Sequence, residues 1–219
     1  MDNKEKQLFI SRTKEPCFKE TQGKAAGVLA RVRRDAQNAG HERKDQEGGK
    51  AMVSISQVRT STDVEHAQGL MREYTAWAFT LSAETIEAPT FEGLEQELES
   101  LPGPYAPPAG RLLLAKDNGQ PAGCVALKSH SATEGELKRL YVRPDFRGQK
   151  IGRKLVLAVI EEARGMGLHN LVLDSHRAMK SAHRIYEAAG FRRVEAPRDF
   201  PETIKPIAVF MELRLTEAG

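Results

Sequence analysis

The sequence predicts an α/β fold, a mixed central sheet with helices on both faces. Short segments with strand-like alternation or β-branched content interleave with segments whose apolar residues recur at helical spacing. Their order reads β-α-α-β-β-β-α-β-α-β-β, and consecutive strands followed by β-α alternation give a sheet with antiparallel and parallel neighbours. The third observation is the stretch 137–167, where strand, Gly-containing loop and amphipathic helix follow one another without a break.

Taken in order, residues 52–59 alternate as a strand does. Ser61 to Asp63 supply N-cap residue types, and residues 63–78 then place Val64, Ala67, Leu70, Met71, Tyr74 and Trp77 at helical spacing. Residues 91–101 predict a second helix with Leu94 and Leu98 inward. Residues 101–108, LPGPYAPP, are expected to be a loop, because Pro and Gly break both regular structures. Residues 111–116 and 122–128 are strands joined by Asp117-Asn118-Gly119-Gln120, a hairpin signal. The strand at 136–142 stops at Arg143-Pro144, since Pro cannot continue a ladder. From Gly152 the apolar positions Leu155, Val156, Val159, Ile160 and Ala163 mark a helix that Gly165 and Gly167 close. Residues 170–174 form a short apolar strand, 179–189 a helix closed by Gly190, and 191–194 and 207–215 the last two strands.

Composition bounds the rest. The chain has 219 residues and a formal net charge of +3, which suits one domain plus a tail. Residues 1–51 carry 12 Lys/Arg against 8 Asp/Glu; they are expected to be a disordered basic tail, with a polar Gly-containing linker at 37–50 and a short basic helix at 25–36. The domain is expected at 52–219. Its charge is nearly balanced, unlike a nucleic-acid-binding domain. Cys17 and Cys124 make no disulfide framework and suit a reducing cytosol, so a cytoplasmic protein is expected. No apolar run approaches a membrane span.

The loop before the central helix carries chemistry. A helix N-terminus presents backbone N–H groups without intrahelical partners and a positive dipole end. Gly148 and Gly152 let an anion approach the backbone, and Arg147, Lys150, Arg153 and Lys154 add positive charge. Such a junction suits a phosphate or pyrophosphate. By these residues alone it equally suits a strand-to-helix turn with a solvated basic face.

The stretch resembles motif A of the GNAT superfamily of acyl-CoA N-acyltransferases, Gln/Arg-x-x-Gly-x-Gly/Ala after a strand. Arg147 fills the first position and Gly152 the last, while Lys150 stands where the family more often has Gly. Downstream, Ala182 to Phe191 (AHRIYEAAGF) resembles the family's A-x-x-x-Tyr-x-x-x-Gly-Phe signature. The resemblance implies acetyl-CoA as co-substrate, with its pyrophosphate cradled by Arg147, Gly148, Gln149, Lys150, Ile151, Gly152 and Arg153. It implies a pantetheine arm lying along the strand at Leu140, Tyr141 and Val142. It also implies Tyr186 as the donor to the leaving thiolate, although a Tyr on an amphipathic helix also suits a core. Glu136, at the start of its strand, is the candidate general base beside two alternatives, a surface carboxylate or a water relay; Glu134 is a nearby competitor.

Other patterns carry less. His176 and His183 lack the Cys or carboxylate partners of a zinc set, so no metal is expected, and His183 reads as a partly exposed helix residue. Asp174-Ser175-His176 has a hydrolase triad's composition but, as adjacent residues, not its geometry. Gly165 to Asn170 mimics a dinucleotide loop but follows a helix. The expected function is transfer of acetyl from acetyl-CoA to a primary amine by direct attack in a ternary complex. The alternative is a non-catalytic acyl-CoA-binding module. The acceptor is a small-molecule amine, a peptide or protein N-terminus, or a lysine. Neither membrane nor nucleic acid is expected as a partner, and the chain is a monomer or homodimer.

Overall fold

The computed structural model describes residues 52–82 and 94–215. The expectations for the tail at 1–51 and for the first residues of the second helix lie outside them. Within them the order is β1 (Val53–Gln57), α1 (Ser61–Ser82), α2 (Leu94–Glu99), β2 (Gly110–Asp117), β3 (Gln120–Ser129), β4 (Glu134–Val142), α3 (Ile151–Gly165), β5 (Asn170–His176), α4 (Lys180–Ala188), β6 (Arg192–Val194) and β7 (Ala208–Arg214). The element order is the one the sequence predicts.

Local chemistry sets several boundaries. At the start of α1 the Asp63 amide donates to Thr60 Oγ1 at 3.1 Å while the Thr60 amide donates to Asp63 Oδ2 at 3.4 Å, a reciprocal cap. Lys116 Nζ reaches Asp63 Oδ1 at 2.8 Å, and these bonds hold the Asp63 carboxyl at about 2. The β2–β3 turn has positive φ at both Asn118 (49°) and Gly119 (83°), the mirror-image geometry that matches strand twist. The segment expected to be an irregular loop contains a 3₁₀ turn at Gly103–Tyr105. It buries the Tyr105 ring, and the Tyr105 hydroxyl donates to Glu97 Oε1 at 2.7 Å.

The sheet has seven strands in the order β1-β2-β3-β4-β5-β7-β6. Every neighbouring pair is antiparallel except β4 with β5. Alternation divides the core between its faces. On one face Leu113, Val125, Leu137, Leu171, Leu173 and Met211 pack with Leu155, Val156, Val159 and Ile160 of α3. On the other, Leu112, Leu114, Cys124 and Ala126 pack with Leu70 and Met71 of α1 and Leu98 of α2. Burying each such side chain stabilises the fold by roughly 1.5–3 kcal/mol. The first core draws on strands from β1 to β5 and on β7, whereas the second draws on no residue of β5, β6 or β7.

Candidate active site

The two parallel strands at the centre of the sheet part company. β4 and β5 pair only from Glu134↔Asn170 to Glu136↔Val172, although β4 continues to Val142 and β5 to His176. Beyond that point the edge of β4 facing β5 leaves the ladder, and a cleft opens between them. Leu140, Tyr141 and Val142 lie on this unladdered stretch, still paired to β3 on the other side at Tyr141↔Cys124 and Val142↔Gly123.

A bulge shapes the same stretch. The β3–β4 register steps from Ala126↔Lys138 to Cys124↔Tyr141, so two β4 residues, Arg139 and Leu140, stand against one on β3. Arg139 holds φ at +57°, rare for a side chain with a Cβ. Its guanidinium is clamped by Glu97 of α2, Nε at 3.0 Å and Nη2 at 2.6 Å, with both side chains largely buried. The clamp pushes the Arg139 pKa up, because Glu97 favours the cation more than burial opposes it. The sequence carries no local signal for this device.

The cleft leads to the cradle. After Val142, a 3₁₀ turn (Pro144–Phe146) delivers the exposed residues Arg147, Gly148, Gln149 and Lys150, then α3 begins at Ile151, with Gly152 and Arg153 in its first turn. Gly148 has φ +84° and no heavy atom within 4 Å of where a Cβ would stand. Lys150 sits at φ +62°, so the position where the GNAT pattern usually has Gly is a left-handed position here too. No side chain caps the helix, whose first amides are left available to a ligand. Arg147 folds back, donating from Nε to the Val142 carbonyl at 3.2 Å and lying 5.6 Å from the centre of the Trp77 ring of α1. An open positive-φ turn, an uncapped helix N-terminus and four exposed basic or polar side chains fit a pyrophosphate.

Tyr186 lies on α4 among the buried residues of that helix. It is 5% exposed, its ring 5.8 Å from that of Phe191. A Cβ on Gly152 would come within 3.1 Å of Ile185, so the start of α3 and the face of α4 bearing Tyr186 are in close contact. Burial raises the Tyr186 pKa above the usual phenol value, with the charges of Tyr74 and Asp174 adding to it. The residue is both a core aromatic and a group facing the cleft's electrostatics.

Glu136 is placed at the apex of the cleft, the last paired residue of β4. It is 9% exposed, and both its oxygens are engaged. His130 Nε2 lies 2.8 Å from Oε2 and Lys138 Nζ 2.6 Å from Oε1. Burial raises its pKa, yet these partners win and hold it at about 2. A carboxylate so stabilised accepts a proton from an ammonium, pKa about 10.4, only at a cost of roughly 11 kcal/mol. Glu134, the competitor, accepts from Asn170 Nδ2 at 3.2 Å at the closed end of the ladder.

Asp174, set aside with its neighbours at the level of sequence, lies in the cleft. It follows the last β4–β5 rung by two residues, on the face away from Leu171 and Leu173. Its charge is felt by Tyr74 of α1, by Glu136, Lys138 and Arg139 of β4 and by Tyr186 of α4. Enclosure by these walls raises its pKa. The buried Leu171, Leu173 and Ser175 against the more open Val172, Asp174 and His176 are the period-2 signal that singles it out. His183, expected to be a partly exposed helix residue, is 1% exposed on the inner side of α4; burial lowers its pKa.

Comparison with known proteins agrees with this geometry. The profile of the acetyltransferase (GNAT) family matches residues 80–191. An uncharacterized N-acetyltransferase of Schizosaccharomyces pombe is 33% identical over 167 residues, covering 75% of this chain and 96% of the relative. An acetyltransferase structure from Streptococcus agalactiae superposes with a TM-score of 0.60 at 20% identity, over 74% of this chain and 98% of that one. The PaiA N-acetyltransferase of Thermoplasma acidophilum, solved in complex with coenzyme A, gives the same TM-score of 0.60 at 20% identity, over 75% and 99%. The last two likenesses bear on the fold. The matched profile and the relative place the chain in the GNAT family of acetyltransferases.

Proposed function

We propose that the protein transfers an acetyl group from acetyl-CoA to a primary amine by direct attack in a ternary complex. The observation that carries this reading is the early end of the β4–β5 ladder, which frees the β4 edge ahead of an uncapped helix N-terminus. The domain that does this work starts near Met52. Acetyl-CoA supplies the activated thioester. The residues from Arg147 to Arg153 hold its pyrophosphate through helix amides and basic side chains. The unladdered edge of β4 at Leu140, Tyr141 and Val142 offers backbone groups to an extended arm, as a sheet edge does to an added strand.

Tyr186 serves the leaving sulfur. Its raised pKa keeps the phenol protonated at neutral pH, so it meets growing negative charge as a donor. Full transfer to a thiolate whose conjugate acid has pKa about 8.5 is uphill by at least roughly 2 kcal/mol, so the proton must be replaced promptly or shared. Glu136 keeps its place as the sequence's candidate for the proton acceptor. The Lys138 ammonium and the His130 ring at its two oxygens better support a fixed negative charge that holds both side chains there.

The test is thiol release from acetyl-CoA against a panel of amines and peptides, in wild type and Tyr186→Phe. Wild type turns over; the variant, which keeps the ring, loses roughly 10- to 1,000-fold in kcat with acetyl-CoA affinity and melting temperature nearly unchanged. A protein that binds acetyl-CoA but releases no thiol with any acceptor is an acyl-CoA-binding module, and full activity in Tyr186→Phe removes that residue from the chemistry.

A further inference from the structure

The floor of the cleft on the α1 side has a composition that selects an acceptor. Asp174 pairs with Phe210 across the β5–β7 ladder, and directly opposed residues project from the same face. That face is the one away from Val209, Met211 and Leu213, which pack into the core under α3. Phe210 is half-buried, and Phe200 packs edge-on against it with ring centres 4.6 Å apart at 83°. Val194 of β6 lies opposite Phe210 on the other side, so Asp174, Phe210 and Val194 form one row across three strands. The row begins with a carboxylate and continues as apolar surface.

Asp174 differs from the other carboxylates around it. Glu97 is clamped by Arg139, Glu136 by Lys138 and His130, and Glu73 by Arg143. Lys138 occupies the position that would face Asp174 had β4 and β5 stayed paired, but its ammonium is drawn to Glu136 at 2.6 Å. Among the described residues no cation forms an ion pair with Asp174, and its side chain remains open to solvent. Lys138 and Arg139 act on Asp174 only at longer range while each is bonded to another carboxylate, so a carboxylate with no direct ion pair among the described residues is a seat for an incoming ammonium.

We propose that the acceptor is a primary ammonium on an apolar body, with Asp174 receiving its charged end and one of its protons and Phe210, backed by Phe200, covering the apolar part. This rests on the acetyltransferase reading above. The balance is as follows. The ammonium gives one proton to Asp174, which passes it to solvent. The nitrogen lone pair forms the N–C bond, the C–S bond breaks and its electron pair leaves on sulfur. The second nitrogen proton passes to solvent as the amide forms, sulfur takes the Tyr186 proton, and solvent reprotonates the phenolate, so that one proton is released overall. Desolvation raises the Asp174 carboxyl toward the amine it must deprotonate, Glu136 adds to this, and the charges of Lys138 and Arg139 oppose it.

The experiment measures thiol release with 2-phenylethylamine, n-hexylamine, ethanolamine, 2-aminoethylphosphonate, glycine and a lysine peptide, in wild type, Asp174→Asn, Asp174→Glu and Phe210→Ala, from pH 6.5 to 10. Acetyl-CoA affinity and melting temperature are followed alongside. The apolar amines should exceed ethanolamine and aminoethylphosphonate by about tenfold or more in kcat/KM, the worth of a few buried methylenes. Asp174→Asn should lose roughly 100-fold in kcat at pH 7. The loss should shrink toward pH 10, where solvent deprotonates the amine, and Asp174→Glu should restore part of the rate. Phe210→Ala should raise KM for phenylethylamine and leave ethanolamine unchanged. Preference for an anionic amine or the peptide overturns the acceptor class, and an Asp174→Asn deficit constant across pH overturns the proton role. A wild-type protein that binds acetyl-CoA yet acetylates none of the panel overturns the acetyltransferase reading together with this one.

Discussion

Removing the clamp on the β4 bulge tests whether that strand's shape is held from outside. In Glu97→Ala the Arg139 guanidinium loses charge-assisted bonds of 3.0 and 2.6 Å, and the Tyr105 hydroxyl loses its 2.7 Å acceptor. Breaking a buried pair from one side costs about 3–5 kcal/mol. Here the partners keep 17% and 18% of their side-chain surface, so water recovers part of that and about 3 kcal/mol is the working figure. For a domain of this size each kcal/mol shifts the melting temperature by about 2–4 °C, giving a drop of about 10 °C. Acetyl-CoA affinity should fall with it, because the relaxed bulge re-aims the backbone at Leu140 to Val142. Differential scanning fluorimetry and calorimetry read both, with Glu97→Gln intermediate and Glu97→Ala/Arg139→Ala closer to wild type than the single change. A Glu97→Ala melt within 2 °C of wild type, at unchanged affinity, refutes the reasoning.

Gly148→Asp places a carboxylate and a Cβ at φ +84° in the cradle and should weaken acetyl-CoA binding at least tenfold, about 1.4 kcal/mol, by calorimetry. Lys150→Gly relieves a left-handed side chain at +62° at the expense of unfolded-state entropy, so its melting temperature should stay level or rise by a few degrees. Asp63 and Glu136, both held at about 2, are below their unfolded values, so their contribution is complete above about pH 4.5 and is lost as pH falls toward 2. Acid unfolding should show it, and Lys116→Met should flatten the Asp63 part.

What the sequence made legible follows a physical line. Periodicity and turn chemistry are local, so the order of strands and helices, the Asn118-Gly119 hairpin and the glycine-flanked start of α3 could all be read from neighbouring residues. The insertion of β7 between β5 and β6 could not, since strand order depends on which edges meet in space. The same holds for the bulge at Arg139, whose left-handed backbone is imposed by a glutamate on another helix. Glu136 shows how a residue's surroundings settle its chemistry. Its position on β4 is readable from the sequence, but the side chains that engage its two oxygens, His130 from the preceding turn and Lys138 from its own strand, are brought there by the fold. Asp174 was discarded as one of three adjacent residues, although strand alternation alone separates it from Ser175.

The three rungs joining β4 to β5 make the centre of the sheet its mechanical seam. On the α3 face a continuous core binds the halves together, but on the α1 face the core stops at β4. A ligand lodged in the cleft therefore acts as a tie across the two half-sheets. At a hundred times its Kd such a tie adds about 2.7 kcal/mol to the folded state. Hydrogen exchange should slow on β5 as well as on β4, so that occupancy of the site is felt as stiffness on strands beyond the cradle.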